Sequence, residues 1–393
     1  MRILHVIPTY LPSTRYGGPI VSVHGLCSAL AKRGHDVHVF TTNVDGDANS
    51  PVPLHAPVEN DGVKISYFSV PLLRRLYWAP EMAIALEREM PRFDVVHTHS
   101  VFLWPTWAAA RVARRHAIPY ILAPRGMLVT DLIRRKSMFQ KKLWIALVEK
   151  NNIEKAAGIH VTSAVEGTEL ARFGFRLPRV YEVPNGFNPE DASSSITGAL
   201  AWPVEAVLNS GKPVVLYVGR INWEKGLDRL IRAMAEVPEA LLLAVGNDEE
   251  GYTSQLIALA RHERVNDRVR FVGPVYGAAK AEIYRRATLF VLPSYSENFG
   301  NVTLEAMGAG CPVIVTPEVG ACSVVAESRA GLVVSGEPRA LAEAIRALLG
   351  STAMQREMGA RGRNWILTRN SWSSVAQQIM YVYRHAIDEW KAR

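Results

Sequence analysis

Short apolar runs rich in β-branched residues recur along the first half of the chain, with helix-like stretches between them. Hydrophobicity within these runs is nearly continuous rather than alternating, which is typical of strands covered on both faces and predicts a parallel α/β sheet. The predicted strands of this first set span residues 3–8, 37–41, 63–68, 95–99, 120–123, 159–162 and 180–184.

The same pattern starts again in the second half, at residues 214–219, 241–246, 269–273, 289–293, 313–316 and 332–334. Strand and helix alternate twice over, which predicts two doubly wound domains at 1–188 and 212–370. A turn at 184–186 and a small, polar stretch at 191–195 place a linker at 189–211. The last segment, 371–393, is a helix too apolar to be free, and we expect it to pack back toward the first domain.

Size and composition agree with two globular domains. The chain has 393 residues, of which 48% are hydrophobic and 21% charged, and this usage excludes disorder, collagen and coiled coil. Cys27, Cys311 and Cys322 are too scattered for a disulfide framework or a cysteine-based zinc site. No stretch reaches the ~18 apolar residues of a membrane span. We expect a cytoplasmic protein that is soluble or lies at the inner face of the cell membrane.

The net charge of +8 lies in the first half, where residues 1–188 hold 23 basic and 15 acidic side chains against 22 of each in 189–393. Basic and large apolar residues interleave at helical spacing in 125–150, and 72–78 has the same character. Such segments are typical of surfaces that bind anionic membranes. The alternative is an ordinary helix with a solvated basic face. Nucleic acid is disfavoured, since no RNA-binding or zinc-finger signature accompanies the charge.

Two common nucleotide-binding motifs are absent. Neither domain has a Gly-x-Gly-x-x-Gly turn after its first strand, which disfavours a nicotinamide or flavin dinucleotide. The phosphate loop ending in Gly-Lys-Ser/Thr is missing as well, which excludes the common ATPase and GTPase class.

The most informative stretch is 293–310, which follows a predicted strand and opens a helix. Ligands of open α/β sheets bind beyond the carboxyl ends of strands, where a glycine-bearing loop and a helix start favour an anion. Phe299-Gly300-Asn301 is therefore predicted to cradle phosphate. Glu297 and Glu305 flank the helix start, and carboxylates accept hydrogen bonds from paired hydroxyls, as in sugars. Alone, these acids would be better interpreted as ordinary helix residues, Glu297 as a charge near the cap that the helix dipole favours and Glu305 as part of a solvated face.

The loop after the first strand of the same domain adds two cations, Arg220 and Lys225. Arginine binds phosphate in a bidentate manner and lysine as a point charge. A surface ion pair with Glu224 is the alternative for Lys225. Together the two loops predict a diphosphate ligand with a sugar at each end.

These residues resemble glycosyltransferase family 4, whose members are retaining enzymes of the GT-B fold. The resemblance rests on the Glu-x7-Glu spacing of Glu297 and Glu305, on Gly219-Arg220 with Lys225-Gly226, and on the sequence at 306–313. It implies two Rossmann-like domains facing a cleft, the second holding a nucleotide-diphosphate sugar. It also implies catalytic roles for Arg220, Lys225 and Glu297. The implied donor-binding residues are Gly17, Gly18, Arg220, Lys225, Gly246, Asn298, Phe299, Gly300, Asn301, Val302, Thr303 and Glu305.

In the first domain the resemblance implies an acceptor site. Gly17 and Gly18 match a glycine pair beside the donor phosphate, although a plain turn is the alternative. His99 matches the family's active-site histidine. It is preferred over His97 because two strand residues share a face but only the later one reaches the rim. A satisfied core histidine is the alternative for either residue. Arg125 matches a position near the acceptor, where it is expected to bind phosphate.

The resulting expectation is transfer of a hexosyl-type unit to a hydroxyl of a saccharide or lipid-linked saccharide, in polysaccharide or glycolipid assembly. We expect no metal and no cofactor, with the leaving diphosphate neutralised by Arg220, Lys225 and the helix start. The alternatives are a sugar-phosphate synthase, a phosphorylase or an epimerase of the same fold, and a non-catalytic protein that binds sugar nucleotides or glycans.

Overall fold

The computed structural model describes residues 1–13, 17–54, 56–129, 144–188, 190, 200–248 and 250–392. The chain divides into two compact units. Unit 1 comprises Met1–Gly186 together with Trp372–Arg393, and unit 2 comprises Phe187–Ser371. The divisions lie within two residues of the boundaries predicted at 188 and 370.

Unit 1 is built on an eight-stranded sheet with the order β10-β9-β8-β7-β1-β2-β6-β5, in which only β5 runs antiparallel to its neighbour. Its strands are β1 Arg2–Thr9, β2 Asp36–Thr42, β5 Val58–Asn60, β6 Val63–Phe68, β7 Val95–His99, β8 Tyr120–Ala123, β9 Gly158–Val161 and β10 Val180–Glu182, with a small hairpin of β3 Val44–Asp45 and β4 Ala48–Asn49. Its helices are α1 Gly18–Lys32, α2 Pro80–Glu89, α3 Trp104–Arg115, α4 Lys150–Glu154, α5 Ala164–Ala171 and the C-terminal Trp372–Lys391.

Two apolar cores cover the two faces of this sheet. Alternate residues of each strand face opposite sides, so Leu4 and Val6 join the core beneath α2 and α3, while Ile3 and Ile7 join the other. Helix α1 and the C-terminal helix cover that second face. The indole of Trp372 lies so close to Gly25 that a Cβ there would come within 2.3 Å of the ring. The predicted return of the C-terminal helix to the first domain is therefore confirmed.

Unit 2 has a six-stranded parallel sheet in the order β13-β12-β11-β14-β15-β16 around one core. Its strands are β11 Val214–Val218, β12 Leu241–Val245, β13 Val269–Val272, β14 Leu289–Leu292, β15 Val313–Val315 and β16 Gly331–Val333. Its helices are α6 Val204–Leu208, α7 Leu227–Ala235, α8 Thr253–His262, α9 Gly277–Arg286, α10 Asn301–Gly308, α11 Cys322–Ser328, α12 Pro338–Leu349 and α13 Thr352–Thr368. The C-terminal helix of unit 1 is accordingly α14.

The stretch predicted as a linker differs from expectation in its second half. Helix α6 lies within 189–211, and Leu200, Val204 and Val207 are buried in the core of unit 2. Apolar residues spaced three to four apart give this short segment a buried face. The linker was predicted from the polar stretch at 191–195, which says nothing about these later residues. Residues 189 and 191–199 lie outside the described residues.

Of the two predicted surface segments, 72–78 is fully described and 125–150 only partly. Residues 130–143, most of the basic segment at 125–150, lie outside the described residues. In the other segment Leu72 and Leu73 are 65% and 62% exposed, while Arg74 donates to the carbonyl of Gly46 at 2.9 Å. No helix within the described parts of the chain is both long and apolar enough to cross a membrane.

Candidate functional site

The candidate site in unit 2 lies where the adjacent parallel strands β11 and β14 end. Their carboxyl ends share one edge of the sheet, which brings the loop at 219–226 beside the loop at 293–300. The backbone N–H of Tyr295 donates to the carbonyl of Glu224 at 2.8 Å and joins the two loops. This contact sets the geometry of the charged side chains that each loop carries.

Lys225 and Glu297 form an ion pair across these loops, with Nζ donating to Oε2 at 2.5 Å. Their side chains are 9% and 19% exposed, so the pair is largely shielded from water. The alternative partner for Lys225, Glu224, is not the one that the structure shows. Gly226 ends the short 3-10 turn Trp223–Lys225 with φ 66°, and a Cβ there would approach the carbonyl oxygen of Pro293 to 2.1 Å. A side chain at this position would push the two loops apart.

The loop after β11 is also held from below. Tyr217 is fully buried, and its hydroxyl donates to the carbonyl of Arg220 at 2.7 Å. Burial, reinforced by the nearby Glu297 carboxylate, raises the pKa of this phenol well above its ordinary value, so it remains a donor. The side chain of Arg220 is exposed at the top of the loop.

Gly246, predicted to contact the donor, also serves to pack two loops together. A Cβ on Gly246 would lie 1.7 Å from the carbonyl oxygen of Gly219, so the ends of β12 and β11 can only approach this closely with glycine. The N–H of Ile221 completes the contact by donating to the carbonyl of Asn247 at 2.8 Å. No local pattern signals this role, because the two glycines are far apart along the chain.

Helix α10 begins directly after Gly300, whose φ of 87° suits glycine, and the aligned peptide dipoles give its start a partial positive charge. The preceding loop is anchored by Gly320 N–H to the Glu297 carbonyl at 2.9 Å and by Ala321 N–H to the Phe299 carbonyl at 2.7 Å. Phe299 is itself buried in the core. Asn298, Asn301 and Val302 are partly exposed around the helix start.

Two predicted donor contacts differ in accessibility. Thr303 is fully buried, and its hydroxyl has no hydrogen-bond partner among the described residues. Glu305, one turn into α10, keeps 23% of its side chain exposed and pairs with Lys280, whose Nζ lies 2.9 Å from Oε2. The hydroxyl of Tyr284 donates to the same oxygen at 3.0 Å. Neither Lys280 nor Tyr284 was predicted from sequence.

In unit 1, Gly17 precedes α1 with φ 75° and Gly18 is the first residue of the helix; both are exposed. A Cβ on Gly17 would meet nothing within 4 Å, so its backbone conformation rather than a close approach requires glycine. Residues 14–16, immediately before, lie outside the described residues.

His99 lies in a buried cluster on the α14 face of the sheet. Strand alternation places His5, His97, His99 and His160 on this face, and all four are buried. The expected difference in exposure between His97 and His99 is absent, since both are 0% exposed. Sequence reasoning missed His5 and His160. Counting alternate residues along each strand would have placed both on the same face of the sheet as His97.

One chain of hydrogen bonds links Val183, His160, His97 and Tyr383, and it assigns one tautomer to each of the two histidine rings. His160 Nε2 lies 2.9 Å from the carbonyl of Val183 and must donate to it. His160 Nδ1 therefore accepts from His97 Nε2 at 3.2 Å, and His97 Nδ1 accepts from the hydroxyl of Tyr383 at 2.8 Å. This chain ties α14 to the sheet.

The second chain of contacts starts at Arg125. Its guanidinium donates from Nε and Nη2 to His99 Nδ1 at 3.3 and 3.2 Å, and from Nη1 to Asn185 Oδ1 at 3.2 Å. His99 Nε2 must then donate to His5 Nδ1 at 2.9 Å. His5 Nε2 has no hydrogen-bond partner among the described residues. Arg125 is thus held inside unit 1 by His99 and Asn185.

Burial keeps all four histidines neutral. It lowers the pKa of His5 and of His160 to about 3, with the charge of Arg125 as a further cause, and it lowers those of His97 and His99 well below the usual range. His5, His97 and His99 are also close enough to share a metal ion. Five of their six ring nitrogens already have hydrogen-bond partners within unit 1. The adjacent guanidinium of Arg125 further disfavours a cation.

Comparisons with known proteins agree with this architecture. The family model described as glycosyl transferase 4-like domain matches residues 17–186, and the one described as glycosyl transferases group 1 matches residues 201–365. The chain is 28% identical over 420 residues to a D-inositol 3-phosphate glycosyltransferase of Xylanimonas cellulosilytica, covering 100% of this chain and 98% of the relative. It is 26% identical to the uncharacterized glycosyltransferase MJ1607 of Methanocaldococcus jannaschii, with 99% of each covered.

Solved structures show the same fold. Sucrose-phosphate synthase from Thermosynechococcus elongatus superposes with a TM-score of 0.75 at 25% identity, covering 99% of each chain. HepE from Anabaena, solved in complex with UDP and glucose, superposes with a TM-score of 0.74 at 20% identity, covering 98% of this chain and 99% of that one. The two family domains, the paired parallel-sheet units and these likenesses together show that the chain belongs to the GT-B glycosyltransferases of family 4.

Proposed function

We propose that this glycosyltransferase moves a hexosyl unit from a nucleotide-diphosphate sugar to a hydroxyl of a saccharide or lipid-linked saccharide, with retention at the anomeric carbon. The observation that carries the proposal is the shielded Lys225–Glu297 pair beside the start of α10. It combines a cation for a diphosphate, an acid for sugar hydroxyls and a helix dipole within one edge of the sheet. Metal-independent transfer is part of the proposal.

In this mechanism the bond between the anomeric carbon and the diphosphate oxygen breaks, and a bond to the acceptor oxygen forms. The acceptor proton leaves with the departing diphosphate. Lys225, Arg220 and the N-terminus of α10 stabilise the charge that develops on the diphosphate. An ammonium carries three N–H donors, so the bond from Lys225 to Glu297 leaves capacity for phosphate oxygens. Glu297 orients the donor sugar through its hydroxyls.

For unit 1, the structure favours a modified role for His99. Its ring is fully buried and both its nitrogens have protein partners, so we assign it the positioning of Arg125 rather than contact with substrate. Arg125 is the proposed acceptor-side cation. Burial lowers the pKa of the Arg125 guanidinium, and the negative charge of Glu166 partly offsets this lowering. Gly17 and Gly18 are proposed to lie near the donor phosphate.

A phosphorylated acceptor is the second candidate, and it is favoured by Arg125 together with the names of relatives. One relative is named for D-inositol 3-phosphate, and sucrose-phosphate synthase is named for a sugar phosphate. A cation that is held by His99 and Asn185 and has no carboxylate directly bonded to it in the described structure suits a phosphate. The two candidates differ only in the acceptor.

The test is donor consumption. Purified full-length protein is incubated with a panel of UDP- and GDP-sugars in excess chelator, and released nucleotide diphosphate is measured with inositol phosphates, hexose phosphates or membrane lipid extract as acceptor. We expect release from one donor, and its loss in Lys225→Ala and Glu297→Ala. Stimulation by lipid extract supports the first candidate and stimulation by a sugar phosphate the second. Absence of donor binding by calorimetry would overturn the assignment of the unit 2 residues.

Membrane association is proposed as well, through the basic first half and the exposed Leu72 and Leu73. Sedimentation with vesicles containing anionic lipid in low salt, and release in high salt, are the expected results. Replacing both leucines by serine should weaken sedimentation with the vesicles. Equally strong binding to neutral and to anionic vesicles would contradict an electrostatic contribution.

A further inference from the structure

Glu305 is held by two side chains of the neighbouring helix. Lys280 and Tyr284 are four residues apart on α9 and therefore share one face of that helix. Lys280 Nζ lies 3.0 Å from Glu305 Oε1 and 2.9 Å from Oε2, and the Tyr284 hydroxyl lies 3.0 Å from Oε2. Both carboxylate oxygens are thus fixed by groups outside their own helix.

The two contacts differ in character. The ring of Tyr284 is 1% exposed and packs edge-on against Phe290 at 5.8 Å, so its hydroxyl is a rigid donor. Burial and the adjacent Glu305 raise the pKa of Tyr284 well above its ordinary value, which keeps this proton in place. The side chain of Lys280 is 27% exposed. A partly exposed ion pair contributes little to stability, so stability alone is a poor account of this arrangement.

The carboxylate retains capacity for a ligand. It has about four lone-pair sites, of which the two side chains use three, and 23% of the Glu305 side chain is exposed. The lysine also offsets a negative charge that would otherwise repel a diphosphate bound by the same unit. An acid fixed in orientation and neutralised by a cation is suited to accept hydrogen bonds from the hydroxyls of a neighbouring anionic ligand.

We propose that Lys280 and Tyr284 are positioning residues that hold Glu305 to accept a hydrogen bond from a ribose hydroxyl of the donor nucleotide. They thereby set the preference for ribonucleotides over deoxyribonucleotides. This inference rests on the proposed function, because it requires a nucleotide diphosphate in unit 2.

The experiment measures the dissociation constants of UDP, GDP and their 2′,3′-dideoxy counterparts by calorimetry. Loss of a hydrogen bond to a charged group corresponds to a preference of about tenfold or more for the ribonucleotide in the wild-type protein. Tyr284→Phe should shrink this ratio about three- to tenfold while leaving dideoxynucleotide binding nearly unchanged. Lys280→Met should shrink the ratio as well and weaken the binding of both ribonucleotides and dideoxynucleotides, since the charge of Glu305 is no longer offset.

Matched controls are Tyr276→Phe and Lys212→Met, both at exposed positions of the same unit, and these should preserve the ratio. A lowered melting temperature with an unchanged ratio in Tyr284→Phe and Lys280→Met would mean a purely structural role and overturn the inference while leaving the proposed function intact. If Tyr284→Phe does not fold, the Lys280→Met variant decides, because the Lys280 side chain is partly exposed. Failure of the wild-type protein to bind any nucleotide would instead overturn the proposed function and this inference with it.

Discussion

The two units use polar side chains in opposite ways. In unit 1 the histidine cluster is fully buried, neutral and bonded internally, with one nitrogen of His5 left over. In unit 2 the acids Glu297 and Glu305 are 19% and 23% exposed and each is paired with a lysine. Buried groups that satisfy one another stabilise a packing arrangement, whereas partly exposed, paired charges can exchange or add a partner. The difference agrees with the proposed roles, in which the paired acids of unit 2 meet the donor and the histidine cluster of unit 1 positions Arg125.

The strongest test of this difference between the units is to exchange the charges of Lys225 and Glu297. Lys225→Glu and Glu297→Lys should each reduce kcat/KM for donor about 10³-fold, since both a phosphate cation and a sugar ligand are lost. The double exchange restores an ion pair but not the cation at the phosphate, so we expect recovery of thermal stability without recovery of transfer. Glu318→Gln, at a neighbouring exposed acid, is the control. Recovery of activity in the double variant would show that the pair is only structural.

The close backbone contact between Gly246 and Gly219 is expected to stabilise unit 2. Gly246→Ala should cost about 3 kcal/mol of unfolding free energy, because its Cβ would lie 1.7 Å from the Gly219 carbonyl oxygen and the loops must separate. Gly273→Ala is a closely matched control, since Gly273 follows the adjacent strand β13 and a Cβ there meets nothing within 4 Å. Urea unfolding of both variants is the measurement. Equal stability of the two would contradict the close approach.

A smaller effect is expected in unit 1. Tyr383→Phe removes the donor to His97 Nδ1 and leaves a buried acceptor unsatisfied, which should cost about 2 kcal/mol. Tyr381→Phe, two residues away on α14 and 59% exposed, should change stability by less than about 0.5 kcal/mol. Thermal unfolding followed by circular dichroism compares the two. A similar, small loss in both variants would mean that α14 is not tied to the sheet through His97.

The smallest effect is a change in pH dependence. The pKa of His5 is about 3 in the folded protein and 6.5 when unfolded, so the unfolded chain binds the proton first as pH falls. The contribution of neutral His5 to stability is therefore fully present above pH 6.5 and is lost progressively toward pH 3, by about 1.4 kcal/mol at pH 5.5. In His5→Asn, whose Oδ1 can accept from His99 in place of Nδ1, the loss of stability between pH 7.5 and 5.5 should be about 1.4 kcal/mol smaller.

Urea midpoints at the two pH values measure this difference. His262→Asn is the control, because its side chain is 82% exposed. An unchanged pH dependence in His5→Asn would show that His5 is not a neutral, buried member of the cluster.

Patterns local in sequence predicted much of this protein. Continuous apolar runs predicted the strands of both sheets, because a strand covered on both faces must be apolar throughout. The stretch around Glu297 and Gly300 was identified because a strand, a glycine loop and a helix follow one another directly. The error at 189–211 has the same origin: the short helix α6 gains its buried face only from contact with the core of unit 2.

Local patterns along the chain were enough to predict the two α/β units, the family and the charged residues at the ends of the strands. Which of these residues meet became clear only from the fold. Lys225 pairs with Glu297 rather than with Glu224, Lys280 and Tyr284 orient Glu305, and His99 is buried against His5 and Arg125. The physical reason is that strand order and register bring together side chains far apart in the chain, and burial then fixes their protonation and their partners.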